Sequence, residues 1–536
     1  MTGPVADPVP ADAPGSREIG FAKPARYNAS AILFDNLAAG RGDRIAVHAE
    51  DGSLSYAALC ARACRIGNAL LSLGLSRGDR VLLYLDDTPA YPAALFGAIR
   101  AGLVPMLVNT QSTADLLRFY LEDSGARAVI VDAAFAGLFT AELLAGSGLA
   151  GAFAVNGPPP GGSALRDGDA WFAGFPDDLP AADTHADEMC FWMYSSGSTG
   201  RPKGVVHLQH DMPFIAASYG RHVLQVGPGD ICFSVPKIFF AYGFGNALVF
   251  PFAVGAATVL LAGRPTPQRV FDAVSRHRPT LFFGLPTLYT ALVHDPAAEA
   301  ADLSSLRLCI SAAEILSAEI FDLWQARFGH RIVEGLGSTE VLHIYLSNTP
   351  EAQKRGAAGR RVPGYELKLT DRDGAPVADG AEGILWVRGD SASPCYWNRP
   401  DKTAETMRDG WIWTGDRFAV DEDGFHFFRG RADDLIKVSG QWVYPLEIEL
   451  CLAEHPDVRE CAVLPVELAD RRMTLRAFVV LGPQAAPGDT MTKRLQDYVK
   501  GRLLPYKYPR ELVYVAELPK TGTGKIDRQA LRRVGG

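Results

Sequence analysis

The chain has no CxxC pair among its 8 cysteines, which are scattered through 536 residues, so the sequence encodes neither a zinc ribbon nor a dithiol redox centre. Reduced thiols of a cytoplasmic protein are the expectation, and Cys60 with Cys64 reads as two residues on one helix face. Basic residues are not in excess, with 53 Lys and Arg against 61 Asp and Glu and a net charge of -8. That balance argues against general nucleic-acid binding and gives no attraction to anionic membranes, so any small anion must be held by a local pocket. An export signal is also lacking. Met1 to Ser16 has neither a basic start nor an apolar core and, rich in Pro, Ala, Gly and Asp, reads as a disordered tail. Ile238 to Gly263 carries no formal charge and is long enough to span a bilayer. Asn246, Pro251 and several glycines interrupt it, so it reads as a buried helix, turn and strand instead. No internal repeat is present, and nothing in the composition decides whether the chain forms a homodimer.

What is present is concentrated in Tyr194-Ser195-Ser196-Gly197-Ser198-Thr199-Gly200-Arg201-Pro202-Lys203-Gly204. Glycines let backbone N–H groups turn inward as an anion-binding nest, the hydroxyls add neutral donors, and Lys203 supplies a charge able to follow a leaving pyrophosphate. A Walker-type loop places Ser or Thr directly after its Lys, at a helix start; here Gly204 follows Lys203. The flanks Met189 to Tyr194 and Val205 to His207 are apolar and read as strands, so the loop joins two strands.

A length of 536 residues exceeds one ordinary core, and 48% hydrophobic with 21% charged residues describes a soluble globular enzyme of two or more domains. Arg80 to Leu85, Pro89 to Arg100, Val104 to Asn109, Ala114 to Ser124 and Ala128 to Asp132 alternate as strand and helix in a βαβ rhythm. Thr88 before Pro89 suits a helix cap. Ala257 to Leu261 and Thr280 to Phe283 read as buried strands, and Tyr365 to Val387 as smaller antiparallel structure. After Arg429 to Asp434 a compact α+β module begins: helix from Glu447, extended runs from Val458 and Leu475, helix from Met491, and a closing loop, Lys520-Thr521-Gly522-Thr523-Gly524-Lys525.

Taken in order, the phosphate loop, Ser311-Ala312-Ala313-Glu314, Leu336-Gly337-Ser338-Thr339-Glu340, Trp413-Thr414-Gly415-Asp416, Gly430-Arg431-Ala432-Asp433 and the Lys525 loop resemble the adenylate-forming superfamily over roughly residues 30 to 530. That group includes acyl-CoA synthetases, luciferases and the adenylation domains of peptide synthetases. The resemblance implies an α/β fold with a tail over 1–16 and a large N-terminal domain over 17–432, made of mixed α/β sheets with a small β-barrel-like part. A small α+β C-terminal domain over 433–536 would be joined to it by a hinge at Asp433. It also implies a ligase that uses ATP, Mg2+ and CoA to convert a carboxylate to an acyl-adenylate and then to a thioester. Ser195, Ser196, Gly197, Ser198, Thr199, Gly200, Ala312, Ala313, Glu314 and Gly337 would surround the nucleotide. Thr339 would hold a phosphate oxygen and Glu340 the metal, a hard cation that takes oxygen ligands. Asp416 would accept from the ribose hydroxyls, with Arg431 adding charge nearby. Lys525, with Lys203, would stabilise the charge that develops during adenylation. Gly440, Gln441 and Trp442 would border the CoA thiol after the small domain swings. Leu336 stands where the family often has an aromatic residue and Ala313 where it often has Gly.

Lys237 to Asn246 and Gly337 with Val341 to Ile344 would form the acid pocket. The first stretch has no carboxylate to pair with an ammonium, which disfavours an α-amino acid. Phe239, Phe240, Tyr242 and Ile344 offer flat apolar walls, Ala241 and Gly337 leave room for a ring edge, and His343 can face the ring or donate to a substituent or to the carboxylate. These strings most resemble benzoate-CoA and 4-hydroxybenzoate-CoA ligases, with a small aromatic carboxylic acid as substrate. A medium-chain or alicyclic acyl-CoA ligase is the alternative, and a nucleotide-binding regulator without turnover is a second. Lys525→Ala is expected to abolish adenylation yet still convert supplied benzoyl-adenylate to thioester, read by separate assays of the two half-reactions.

Overall fold

The computed structural model describes residues 14–195, 201–314, 316–432, 436–438, 441–443, 445–467, 473–504, 507–520 and 526–534. It divides into two compact units, one of residues 1–367 with 386–413 and the other of 368–385 with 414–536. The division passes through two strands, Gly383–Arg388 and Trp411–Val420, of the small antiparallel portion expected from sequence. Asp433 falls inside the second unit and outside the described residues. Pro14–Glu18 forms a helical turn and Ser16 is buried, so residues 14–16 of the expected tail are structured.

Two sheets dominate the first unit. The seven-stranded sheet runs Arg166–Asp167, Gly151–Val155, Ala128–Asp132, Arg80–Tyr84, Val104–Leu107, Met189–Ser195 and Lys203–Leu208 in space. All its pairings are parallel except the last, in which Met193 lies opposite Val205 and Ser195 opposite Lys203. The nine-stranded sheet has a parallel centre of Ile45–Ala49, Ala257–Val259, Ile231–Ser234, Leu281–Gly284, Leu308–Ala312 and Ile332–Gly337, and its other three strands pair antiparallel. Strands such as Ala128–Asp132 and Leu308–Ala312 are buried along their whole length, as parallel strands covered on both faces must be, and this explains why they read as continuous apolar runs.

The stretch from 238 to 263 becomes a helical run, Ala241–Phe244, Gly245–Val249 and Phe250–Val254, followed by the strand Ala257–Val259. Among the described residues no helix is long and apolar enough to cross a membrane. Cys60 and Cys64 both face inward from helix Tyr56–Ser72. Thr88 does not cap the following helix. Pro89 occupies the cap position with helical angles, and the Thr88 hydroxyl instead accepts from Asn156 Nδ2 at 2.9 Å. A long-range partner outcompetes the local one there.

The second unit carries an antiparallel pair, Val458–Glu467 with Met473–Leu481, and a parallel third strand, Glu511–Tyr514. Helices Pro445–Ala453 and Asp489–Lys500 cover its core. Buried Glu449 accepts from Val463 N at 2.7 Å and pairs with Arg528 at 2.8 Å, which anchors the last helix, Arg528–Val534. Lys520 and Ile526, described on either side of residues 521–525, form an isolated antiparallel bridge.

Helices Tyr56–Ser72 and Ala90–Arg100 cross at glycines. A Cβ on Gly97 would lie 2.3 Å from Ala63 O, and one on Gly67 would lie 2.7 Å from Gly97 O. Gly97→Ala is therefore expected to destabilise the first unit by ~1–3 kcal/mol through overpacking, measured as a lower urea midpoint for its unfolding transition.

Candidate active site

In open α/β sheets ligands bind beyond the carboxyl ends of the strands, where loops leave the hydrogen-bonded ladder. The sequence-derived site residues of the first unit sit at such ends. Ala313 and Glu314 follow strand Leu308–Ala312, and Ser338 to Val341 follow Ile332–Gly337. Ala313 adopts φ +73°, a left-handed angle that costs an L-residue ~1–2 kcal/mol and that glycine takes freely, so the departure from the family's usual glycine is borne as strain. Leu342, at φ +67° and ψ −32°, is a second strained position, fully buried two residues after Glu340.

His207 ties the two sheets together at this point. Its Nδ1 lies 2.8 Å from Asp211 Oδ2 and its Nε2 2.8 Å from Thr339 O, and the side chains of His207 and Asp211 are both fully buried. Phe191 stacks on the imidazole with ring centroids 5.2 Å apart. Each ring nitrogen therefore faces a polar oxygen, one on either side of the imidazole. The same turn is gripped from a third direction: Ser393 N donates to Glu340 O at 2.7 Å and Ser391 Oγ to Val341 O at 2.9 Å. Tyr396 donates its hydroxyl to Glu340 Oε1 at 2.8 Å, and Lys203 Nζ lies 4.0 Å from the centre of the Tyr396 ring. Tyr396 itself bridges to Val205, so the segment around it runs alongside strand Lys203–Leu208. Thr339, Glu340 and Lys203 are thereby brought together, and Ser195 ends the neighbouring strand opposite Lys203. Ser196, Gly197, Ser198, Thr199 and Gly200 lie outside the described residues. Among the described residues no group of three or more His, Cys, Asp and Glu forms a preformed metal cage.

The acid-pocket residues also converge. His343 is 2% exposed, its Nε2 lies 3.3 Å from Tyr242 O, and its ring is flanked by Phe250, Tyr219 and Tyr242 at 4.7, 5.2 and 5.8 Å between centroids. Burial drives its pKa down to about 3, the contact with the Tyr242 carbonyl only partly opposing this, so the imidazole is neutral and its Nδ1 has no hydrogen-bond partner. Gly245 makes room for it, since a Cβ there would lie 2.4 Å from His343 Cδ2. The Tyr242 hydroxyl reaches Ile310 O at 3.3 Å. Ala241 and Ile344 are buried. Gly337, expected from sequence to leave room for a ring edge, is also closely approached by backbone: a Cβ would lie 2.4 Å from His343 O, next to its strand partner Ile344.

In the second unit Asp416 and Arg431 face each other across paired strands, with Asp416 Oδ1 and Arg431 Nη1 3.1 Å apart. Gln441 and Trp442 belong to the short strand Gln441–Val443. Gly440, Asp433 and Lys525 lie outside the described residues.

Sequence reasoning passed over His207, Asp211, Tyr396 and Glu334. A histidine in an apolar strand with an aspartate four residues on was the available signal for the first two. Glu334, mostly buried, has its pKa raised to about 7 by burial, opposed by a hydrogen bond from Leu316 N.

Residues 34–397 match the AMP-binding enzyme family and residues 447–525 its C-terminal domain. The chain is 43% identical over 512 residues to the benzoate–CoA ligase of Thauera aromatica, covering 95% of this chain and 96% of that protein. It is 41% identical over 512 residues to the 4-hydroxybenzoate–CoA/benzoate–CoA ligase of Rhodopseudomonas palustris, covering 95% and 94%. Among solved structures, a benzoate CoA ligase from Burkholderia xenovorans superposes with a TM-score of 0.87 at 39% identity, covering 94% of this chain and 100% of that one. The anthranilate CoA ligase AuaEII in complex with anthranoyl-AMP gives 0.89 at 36%, covering 95% and 98%.

The two buried groups impose opposite pH slopes on stability. Below the unfolded value of 6.5 the unfolded chain protonates His343 while the native chain does not, so stability falls as pH falls, by about 1.4 kcal/mol per unit until the native value is reached. Glu334 keeps its proton in the native state above the unfolded value of 4.5, so its contribution is lost as pH rises from there through 7. His343→Gln is expected to flatten the loss of thermal midpoint between pH 6.5 and pH 5, and Glu334→Gln to steepen it, in melts recorded across that range.

Proposed function

Because this chain belongs to the AMP-binding enzyme family, we propose that it is an ATP-dependent aryl-CoA ligase, joining benzoate or a small substituted benzoate to CoA with release of AMP and pyrophosphate. The observation that carries this reading is likeness along nearly the whole chain to relatives named as benzoate and hydroxybenzoate CoA ligases. It is supported by an aromatic wall of Tyr242 and the buried His343, which stands three residues along the chain from Glu340.

In the first step a carboxylate oxygen of the acid attacks the α-phosphorus of ATP and the bond to pyrophosphate breaks. In the second the CoA sulfur, giving up its proton, attacks the acyl carbonyl carbon and the bond to AMP breaks. Ser195, the Ser196 to Gly200 loop and Lys203 hold phosphate oxygens, and Ala312, Ala313, Glu314 and Gly337 border the nucleotide. Glu340 suits the magnesium of Mg–ATP: Tyr396 occupies Oε1, which leaves Oε2 to ligate, and this ion is commonly bound through one or two carboxylates plus phosphates. Bound there, the ion would neutralise phosphate charge, with Thr339 beside it. Asp416 takes the ribose hydroxyls and Arg431 adds charge. Lys525 brings a cation for adenylation, Asp433 serves as the hinge, and Gly440, Gln441 and Trp442 border the thiol. The ring lies among Ala241, Tyr242, Gly337, His343 and Ile344. His343, being neutral, acts there as a hydrogen-bond acceptor through Nδ1 and not as a charge. A cytoplasmic enzyme with no nucleic-acid partner fits this reading, and a homodimer is compatible with it.

Purified protein mixed with ATP, Mg2+, CoA and single acids tests the proposal by AMP formation and loss of free CoA thiol. Benzoate and hydroxy- or aminobenzoates should give both. Turnover confined to medium-chain fatty acids or cyclohexanecarboxylate would contradict it.

A further inference from the structure

Two adjacent carboxyl groups, Asp86 and Asp87, are buried where strand Arg80–Tyr84 runs out, at 9% and 2% exposure. Asp86 Oδ1 lies 2.6 Å from Lys237 Nζ and Asp86 Oδ2 accepts from Gly263 N at 2.5 Å. Lys237 Nζ also donates to Leu261 O at 2.8 Å. Asp87 Oδ1 accepts from Ile238 N at 3.1 Å. Three chain segments therefore meet: the end of a strand in the seven-stranded sheet and the loops that follow strands Ile231–Ser234 and Ala257–Val259 in the nine-stranded sheet.

The position of Lys237 is passed on by backbone contact. Phe240 N donates to Lys237 O at 3.0 Å. A Cβ on Gly243 would lie 2.1 Å from Lys237 O and 2.3 Å from Pro236 O, so the first turn of helix Ala241–Phe244 rests directly on the loop that the aspartates hold. We propose that Asp86, Asp87 and Lys237 form a positioning cluster that fixes the Ala241–Tyr242 wall and thereby the fit of the aromatic ring, an inference that rests on the aryl-acid reading of that pocket.

The choice of charged groups has a physical reason. Ile238 and Gly263 present N–H groups in a buried setting, and an apolar replacement for the carboxyls would leave those donors unsatisfied. Charge is also balanced. Burial pushes Asp86 up, but Lys237 and the N–H groups of Gly263 and Asp87 more than offset it and hold Asp86 below the usual carboxylate range. Burial raises Asp87 to about 7, with Lys237 opposing. One carboxylate thus matches one ammonium, which avoids a lone buried charge. Burial, with a smaller contribution from Asp87, also raises the Tyr91 hydroxyl, and burial is the largest cause of the rise of Asp132, to which Asp86 adds.

The test is steady-state kinetics on the full chain with benzoate and 4-hydroxybenzoate as probes. Asp87→Ala removes the acceptor for Ile238 N and is expected to raise the benzoate KM about tenfold, leave the ATP KM within about twofold, and change the ratio of kcat/KM between the two acids. Asp87→Asn keeps an oxygen acceptor and should stay near wild type. Should Asp87→Ala not fold, Lys237→Gln carries the same expectation. A folded Asp87→Ala or Lys237→Gln protein whose benzoate and ATP KM values move equally, or not at all, overturns the positioning role while leaving the ligase reading intact. A wild-type protein inert toward every aromatic acid overturns both.

Discussion

The site depends on one buried histidine. His207 sits on strand Lys203–Leu208 of one sheet and takes hold, through Nε2, of the main chain of Thr339 in the other. Its second nitrogen meets Asp211, which also accepts from Leu208 N at 3.0 Å, so the imidazole cannot turn without breaking contacts on both sides. Both side chains are fully buried, so removing either partner strands a polar atom of the other. The result is that the cation on Lys203 and the acid on Glu340, which come from different sheets, meet at Tyr396.

Two sheets converging by their strand ends give the site its division of labour. The chemistry gathers at strand ends, on Ser195 and Lys203, and in the turns that follow strands, at Ala313 and Thr339–Glu340. Strain is stored at two of those turns, Ala313 and Leu342. Both angles persist because their surroundings leave little alternative: Ala313 follows a fully buried strand, and Leu342 N donates to Thr339 O at 3.0 Å. The aromatic wall is built differently, from a helical stretch in which glycines 243 and 245 let the chain press against Lys237 O and the His343 ring. Packing holds that wall together more than hydrogen bonding does.

Much of the fold was legible because buried parallel strands are short apolar runs, and Ala128–Asp132, Ala257–Val259 and Leu281–Gly284 all read that way. The capping role expected of Thr88 failed because its hydroxyl has a partner, Asn156, far along the chain. The same limit hides Asp86 and Asp87, whose partners near residue 238 no local pattern connects to them. His207 reads as one more residue of an apolar strand, since the Thr339 carbonyl it contacts has no sequence signature. The family was the more legible part, because the ordered motifs span the stretches that match the AMP-binding enzyme family and its C-terminal domain.

The most direct test of this account is aromatic-acid-dependent exchange of labelled pyrophosphate into ATP, measured for the wild type and for His207→Phe. If the His207 bridge sets the distance between the phosphate loop and the Thr339–Glu340 turn, the wild type exchanges label only when benzoate is present. The folded variant should then lose about 10²-fold, the scale of a small misplacement of catalytic groups. Exchange by the variant at the wild-type rate, or none by the wild type with any benzoate, would contradict it.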